Sequence, residues 1–230
     1  MTELPFDIQS LHSAYAEGVS VTDVIEEMYR RIEVVSDPGI FIHLEEKELL
    51  LAQARELGEF DPENKPLWGI PFAIKDNIDA EGIPTTAACP DFTYEAQDDA
   101  FCLALLREAG AILVGKTNLD QFATGLVGLR SPYAPPKNAV NPEIIPGGSS
   151  SGSAVAVGHG IVTFSLGTDT AGSGRIPAAV NNIVGLKPTL GALSATGVVP
   201  ACKTLDTISI FALNVDDAFA VYRATSEYDD

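Results

Sequence analysis

Residues 70–74, Ile-Pro-Phe-Ala-Ile, form an unbroken apolar run that stops on a lysine, Lys75. A strand that is apolar at every position has no face to give to water, so it belongs inside a sheet covered on both sides. Elsewhere the pattern changes period. Val21, Val24, Ile25, Met28 and Ile32 recur at helical spacing within residues 19–35, with Ser20 or Thr22 placed to cap the start. Further helices are expected at 45–57, 100–109, 150–157, 177–181 and 215–222, and further strands at 111–114, 161–166 and 210–213. Residues 119–126 read as helix or turn, and the proline-rich stretch 131–148 as a structured loop. This alternation predicts an α/β domain with a central, largely buried sheet.

Of the 230 residues 46% are hydrophobic, enough to fill a core. Asp and Glu number 32 against 14 Lys and Arg, a net charge of −18. The attraction that draws proteins to phosphate backbones is therefore missing, and neither nucleic acid nor an anionic membrane is expected as a partner. The apolar stretch 154–166 is interrupted by Gly158, His159, Gly160 and Ser165 and is too short to cross a bilayer. The opening MTELPFDIQS lacks the basic and apolar regions of a signal peptide. Cys89, Cys102 and Cys202 are scattered, with no C-x-x-C pair, which argues against a disulfide framework and a zinc site. A cytoplasmic protein without metal or cofactor is expected.

Two segments rich in glycine and serine carry the chemistry: GGSSSGS at 147–153 and GTDTAGSGR at 167–175. The second starts like a phosphate-binding loop, but Ser173 follows Gly172 where the phosphate-reaching lysine would stand. The first holds a G-x-S-x-G centred on Ser150, the pattern of a hydrolase nucleophile elbow, which requires a downstream histidine. His159 follows only nine positions later, and His12 and His43 precede it, so a Ser/His/Asp triad is not expected. His159 reads instead as a helix-end residue. A serine nucleophile then needs another base, and a lysine stripped of water can serve, because burial disfavours its charge. Lys75, at the end of an apolar strand, fits that description. The plainer alternative for Lys75 is a salt bridge to Asp76 or Asp79.

The ordered set GIPFAIKDNID (69–79), GAILVGKTNLDQFATG (110–125), PGGSSSGSAVAV (146–157), LGTDTAGSGRIPAA (166–179) and VGLKPT (184–189) resembles the amidase signature family, from about Trp68 onward. The resemblance implies that family's fold, a central mixed β-sheet covered by helices on both faces and incomplete in this chain. It would form one domain over 1–230, with a helical lead-in (1–66) and a catalytic core (67–230). It implies Ser173 as nucleophile, Ser149 as a relay serine after a cis peptide, and Lys75 as base. The backbone N–H groups of Thr170, Ala171, Gly172 and Ser173 would form an oxyanion hole. Ala123, Thr124 and Gly125 would wall the substrate site, with helix-end packing as the alternative. Ser150, Asp169 and Arg175 would support the serine loops, a role compatible with an ordinary buried ion pair between the last two.

Within the family, the triple serine of GGSSSGS, the stretch 122–142 and PACKTLDTISIFALNVDDA (200–218) resemble the branch that hydrolyses allophanate, a small amide, to ammonia and carbon dioxide. The alternative branch is the amidase component of a tRNA-dependent amidotransferase. A different class of reading is a non-catalytic fragment or assembly module. Family members are longer, so association with a missing C-terminal region, or a homo-oligomer, is also expected.

Overall fold

The computed structural model describes residues 4–229; residues 1–3 of the opening read for a targeting signal, and residue 230, lie outside it. Six strands make one mixed sheet: β1 (Phe41–Leu44), β2 (Pro71–Lys75), β5 (Ile112–Thr117), β6 (Phe164–Asp169), β7 (Val184–Leu186) and β8 (Thr207–Ala212). Their order across the sheet is β1-β5-β2-β6-β8-β7. The apolar run stands near its middle, with β2 parallel to both β5 and β6 and all five of its residues buried. Phe72 and Phe164, opposite one another on β2 and β6, stack with ring centres 5.0 Å apart. β1 and β8 run antiparallel to their neighbours. In sequence, the chain between β2 and β5 forms a small separate ladder of β3 (Pro84–Thr85) and β4 (Tyr94–Glu95).

Helices flank the sheet: α1 (Ile8–Ala16), α2 (Val21–Val35), α3 (Lys47–Glu56), α4 (Phe101–Glu108), α5 (Ser151–Gly158), α6 (Ile176–Val180) and α7 (Val215–Thr225). Ser20 caps α2 through a reciprocal box with Asp23, as its sequence position suggested. α5 has no polar face, and Ser151 to Val157 are all buried. It is therefore an internal helix, pressed onto the sheet through small residues. A Cβ at Gly152 would lie 2.2 Å from the Ile40 carbonyl oxygen and 2.6 Å from the Asn118 nitrogen. Ser153 Oγ donates to the Leu166 carbonyl at 3.0 Å and shares a hydrogen bond with Thr117 Oγ1 at 2.7 Å.

In the main sheet and its flanking helices α1, β1 and β7 were not anticipated, and neither was the β3–β4 ladder. β1 supplies an edge strand from the region expected to hold helices alone. The expected strand at 161–166 begins only at Phe164, because Ile161 and Val162, though fully buried, sit in the turn that follows α5. The stretch 131–148 is ordered by asparagines: Asn118 Nδ2 holds the Ala134 carbonyl at 2.9 Å, and Asn138 Nδ2 the Val180 carbonyl at 2.9 Å. The two ends of the described chain also meet. Asp217, in the first turn of α7, accepts the N–H of Ile8 at 3.2 and 3.3 Å.

Candidate active site

Lys75 closes β2 with no exposed surface. Its Nζ donates to Ser149 Oγ and to Thr168 Oγ1, each at 2.7 Å. Both partners are neutral hydroxyls. Burial pushes the Lys75 ammonium down to about 7, against the opposing pull of Asp120, Asp169 and Asp206. The salt-bridge alternative fails, because its two carboxylates are engaged elsewhere. Asp76 pairs with the equally buried Lys116 at 3.3 Å and accepts the N–H and hydroxyl of Thr86 at 3.1 and 2.5 Å. Asp79 accepts the hydroxyls of Thr85 at 2.8 Å and Tyr94 at 2.6 Å.

Ser149 follows a cis peptide bond from Gly148. A Cβ at Gly148 would lie 2.2 Å from Asp120 Oδ2 and 2.5 Å from the Gly128 nitrogen, so no larger residue fits there without moving the main chain. Asp120 organises this corner. Its N–H reaches the Ser149 carbonyl at 3.0 Å, and its carboxylate accepts the N–H groups of Gly128 at 3.0 Å and Arg130 at 2.8 Å. Ser150 Oγ donates to the Thr168 carbonyl at 3.2 Å, tying the serine loop to β6.

The second loop leaves the end of β6. Asp169 accepts Arg175 Nε at 2.9 Å and Nη2 at 3.0 Å, together with the N–H groups of Gly172 at 2.7 Å and Gly174 at 3.0 Å. Burial works against the Asp169 charge, but Arg175 and the two N–H groups outweigh it, so the carboxyl lies below its ordinary range. The ion pair is only half buried, since the Arg175 side chain is 55% exposed. Ser173 is 3% exposed, and its Oγ has no hydrogen-bond partner among the described residues. Of the four N–H groups expected to form an oxyanion hole, that of Gly172 is turned onto Asp169. Those of Thr170, Ala171 and Ser173 have no acceptor among the described residues.

Ala123, Thr124 and Gly125 lie on and just after a 3-10 turn, Gln121–Ala123. Gly125 packs against Asp120, and the next residue, Leu126, reaches both serine loops. Its carbonyl accepts the Gly148 N–H at 2.9 Å, and its side chain lies 3.6 Å from where a Cβ on Gly172 would stand. The histidines stand apart from these contacts: His12 packs on Phe60, His43 lies on β1, and His159 caps the end of α5. Sequence reasoning missed Thr168, Asp120 and Asp206. Thr168 lies two positions from the apolar Leu166 on β6, and only the parallel pairing of β6 with β2 brings it to Lys75.

The amidase family model matches residues 23–230. The chain belongs to the amidase family. This amidase-family chain is 55% identical over 207 residues to urea amidolyase of Saccharomyces cerevisiae, a match spanning 90% of the chain and 11% of that protein. It is 42% identical over 226 residues to one component of the glutamyl-tRNA(Gln) amidotransferase of Streptococcus pneumoniae, covering 96% of the chain and 46% of the relative. Its fold superposes on Kluyveromyces lactis allophanate hydrolase with a TM-score of 0.88 at 48% identity, covering 98% of this chain and 37% of the other. The chain thus spans under half the length of each. Among the described residues, no helix is long and apolar enough to cross a membrane.

Proposed function

We propose that these residues hold the catalytic centre of an amide hydrolase acting on allophanate, with Ser173 as nucleophile, Ser149 as relay and Lys75 as base. Ser173 Oγ attacks the amide carbonyl carbon while its proton passes to Ser149 Oγ, and the Ser149 proton passes to neutral Lys75 Nζ. The carbonyl oxygen, now anionic, accepts the N–H groups of Thr170, Ala171 and Ser173. The relay then runs backwards to protonate the leaving nitrogen, and water releases the acyl group from Ser173 by the same path. The reading requires Ser173 Oγ to approach Ser149 Oγ, a contact that tightens when a carbonyl is bound. One observation carries it: a fully buried lysine, brought to about 7, whose hydrogen bonds go to hydroxyls and not to a carboxylate.

Allophanate is favoured as substrate by identity, 55% to urea amidolyase against 42% to the amidotransferase component. A place in the breakdown of urea follows from the same reading. A reducing, cytoplasmic setting is part of it, supported by three free thiols at Cys89, Cys102 and Cys202. The amidotransferase reading rests on the 42% relative, and a net charge of −18 counts against direct binding of tRNA. A substrate panel separates the two: ammonia release from allophanate should exceed release from glutamine and from aliphatic amides. Faster turnover of glutamine would move the assignment to the amidotransferase branch.

A further inference from the structure

We propose that Asp206 is a positioning residue for the oxyanion-binding loop, acting through the hydroxyl of Thr170. The inference rests on the serine-hydrolase reading above. Asp206 is 8% exposed, and among the described residues no basic side chain pairs with it. A buried carboxylate is tolerated only when donors fill its lone pairs. Here the donors are the hydroxyl of Thr170 and the N–H groups of Ala201 at 2.9 Å and Cys202 at 2.9 and 3.1 Å. Thr170 Oγ1 donates to Asp206 Oδ1, so its hydrogen points at the carboxyl and its side chain has one orientation.

The next residue completes the hold. Thr207 Oγ1 donates to the Asp169 carbonyl at 3.0 Å, so Asp206 and Thr207 grip Thr170 and Asp169, two consecutive residues against two. That grip falls where β6 ends and the chain turns into Ala171, Gly172 and Ser173. On the far side of the turn, the Asp169 carboxylate fixes the N–H groups of Gly172 and Gly174. The free N–H groups of Thr170, Ala171 and Ser173 are thereby suspended between two carboxylates whose hydrogen bonds go to the protein itself. Donors aimed in advance at a developing oxyanion lose value when they wander, so the grip is worth rate more than binding.

The test compares Thr170→Val, Thr170→Ser, Asp206→Ala and the double variant Thr170→Val/Asp206→Ala. A fluorophosphonate serves as probe: Ser173 Oγ forms a P–O bond, the P–F bond breaks, fluoride leaves, and the Ser173 proton passes to the relay. Thr170→Val should phosphonylate about tenfold more slowly, the worth of one hydrogen bond, and lower kcat for amide hydrolysis by a similar factor with KM little changed. Thr170→Ser keeps the donor and should recover most of the rate that Thr170→Val loses. The double variant should be no slower than Asp206→Ala alone, because both single changes remove the same contact. Thr170→Val at the parent rate, Thr170→Ser as slow as Thr170→Val, or additive losses in the double variant would each overturn the proposal. Where Asp206→Ala does not fold, the Thr170 pair decides. A parent protein that the probe leaves unlabelled at Ser173 overturns the hydrolase reading itself, and this inference with it.

Discussion

Lys75 owes its neutral, proton-accepting form to what surrounds it: water is excluded, the carboxylates that attract its charge do not touch it, and the two groups that do are hydroxyls. Amide hydrolysis should therefore rise with pH through about 7, as the neutral amine becomes the major form. Ser173→Ala should abolish hydrolysis and leave the thermal midpoint nearly unchanged, since its Oγ makes no hydrogen bond among the described residues. Stability carries a second signature of Lys75. Its folded-state value of about 7 lies below the ~10.4 of an unfolded lysine, so between these values the unfolded chain binds the extra proton. Stability should rise with pH across that window, and Lys75→Met should flatten the rise in calorimetric melts taken from pH 7 to pH 10. Equal slopes in the two proteins would mean that the amine is charged in the fold. The meeting of Lys75 with Ser149 was legible only through the resemblance of the ordered motifs to the amidase signature family; of the two, Lys75 alone also stood out locally, as a lysine ending an apolar strand. Thr168 was not legible as a partner of Lys75: it lies in the marked segment 167–175, but 93 positions from the lysine, and only the pairing of β6 with β2 brings the two together.

The elements most readable in the sequence were those whose burial pattern is strong over several residues. α2 was legible from its apolar stripe and its cap, and β2 from five buried positions in a row. β1 escaped because its four residues are all half-buried, and β7 because it has only three. α1, whose cap at Asp7 is a single side-chain bond to the Ser10 N–H at 2.8 Å, carried a weaker signal than α2. α5 was read as a helix of small residues, but the reason for their size needed the structure: main chain from two other segments lies within van der Waals reach of Gly152. Gly152→Ala should cost about 1–3 kcal/mol by overpacking, read as a lower denaturant midpoint at unchanged slope. It should also depress hydrolysis in the fraction that still folds, because Ser149 lies three residues upstream on the same rigid unit. A variant as stable and active as the parent would show that α5 can shift without disturbing the serine loop.

Across the whole molecule, the joint between α1 and α7 is the place where charge and architecture conflict. Burial, helped by the negative charges of Asp7 and Asp216 and opposed by hydrogen bonds from Ile8 and Asn214, pushes the Asp217 carboxyl up to about 6. An unfolded aspartate titrates near ~3.9, so between these values the folded chain holds the extra proton. The contribution of Asp217 to stability is complete below about 4 and is lost as pH rises through about 6. Asp217→Asn keeps an acceptor for the Ile8 N–H and removes the charge. It should raise the thermal midpoint at pH 8 and leave it unchanged at pH 4; a lowered midpoint at pH 8 would show that the ionised carboxylate is what Ile8 needs. The same joint sets an order of events during synthesis. Ile8 and Asp217 are 209 positions apart, so a ribosome adding 5–20 residues per second completes the second about 10–40 s after the first. Throughout that interval α1 lacks this anchor and is held only by its contacts with segments made before α7, such as the hydrogen bond from the Tyr15 hydroxyl to the Gly69 carbonyl.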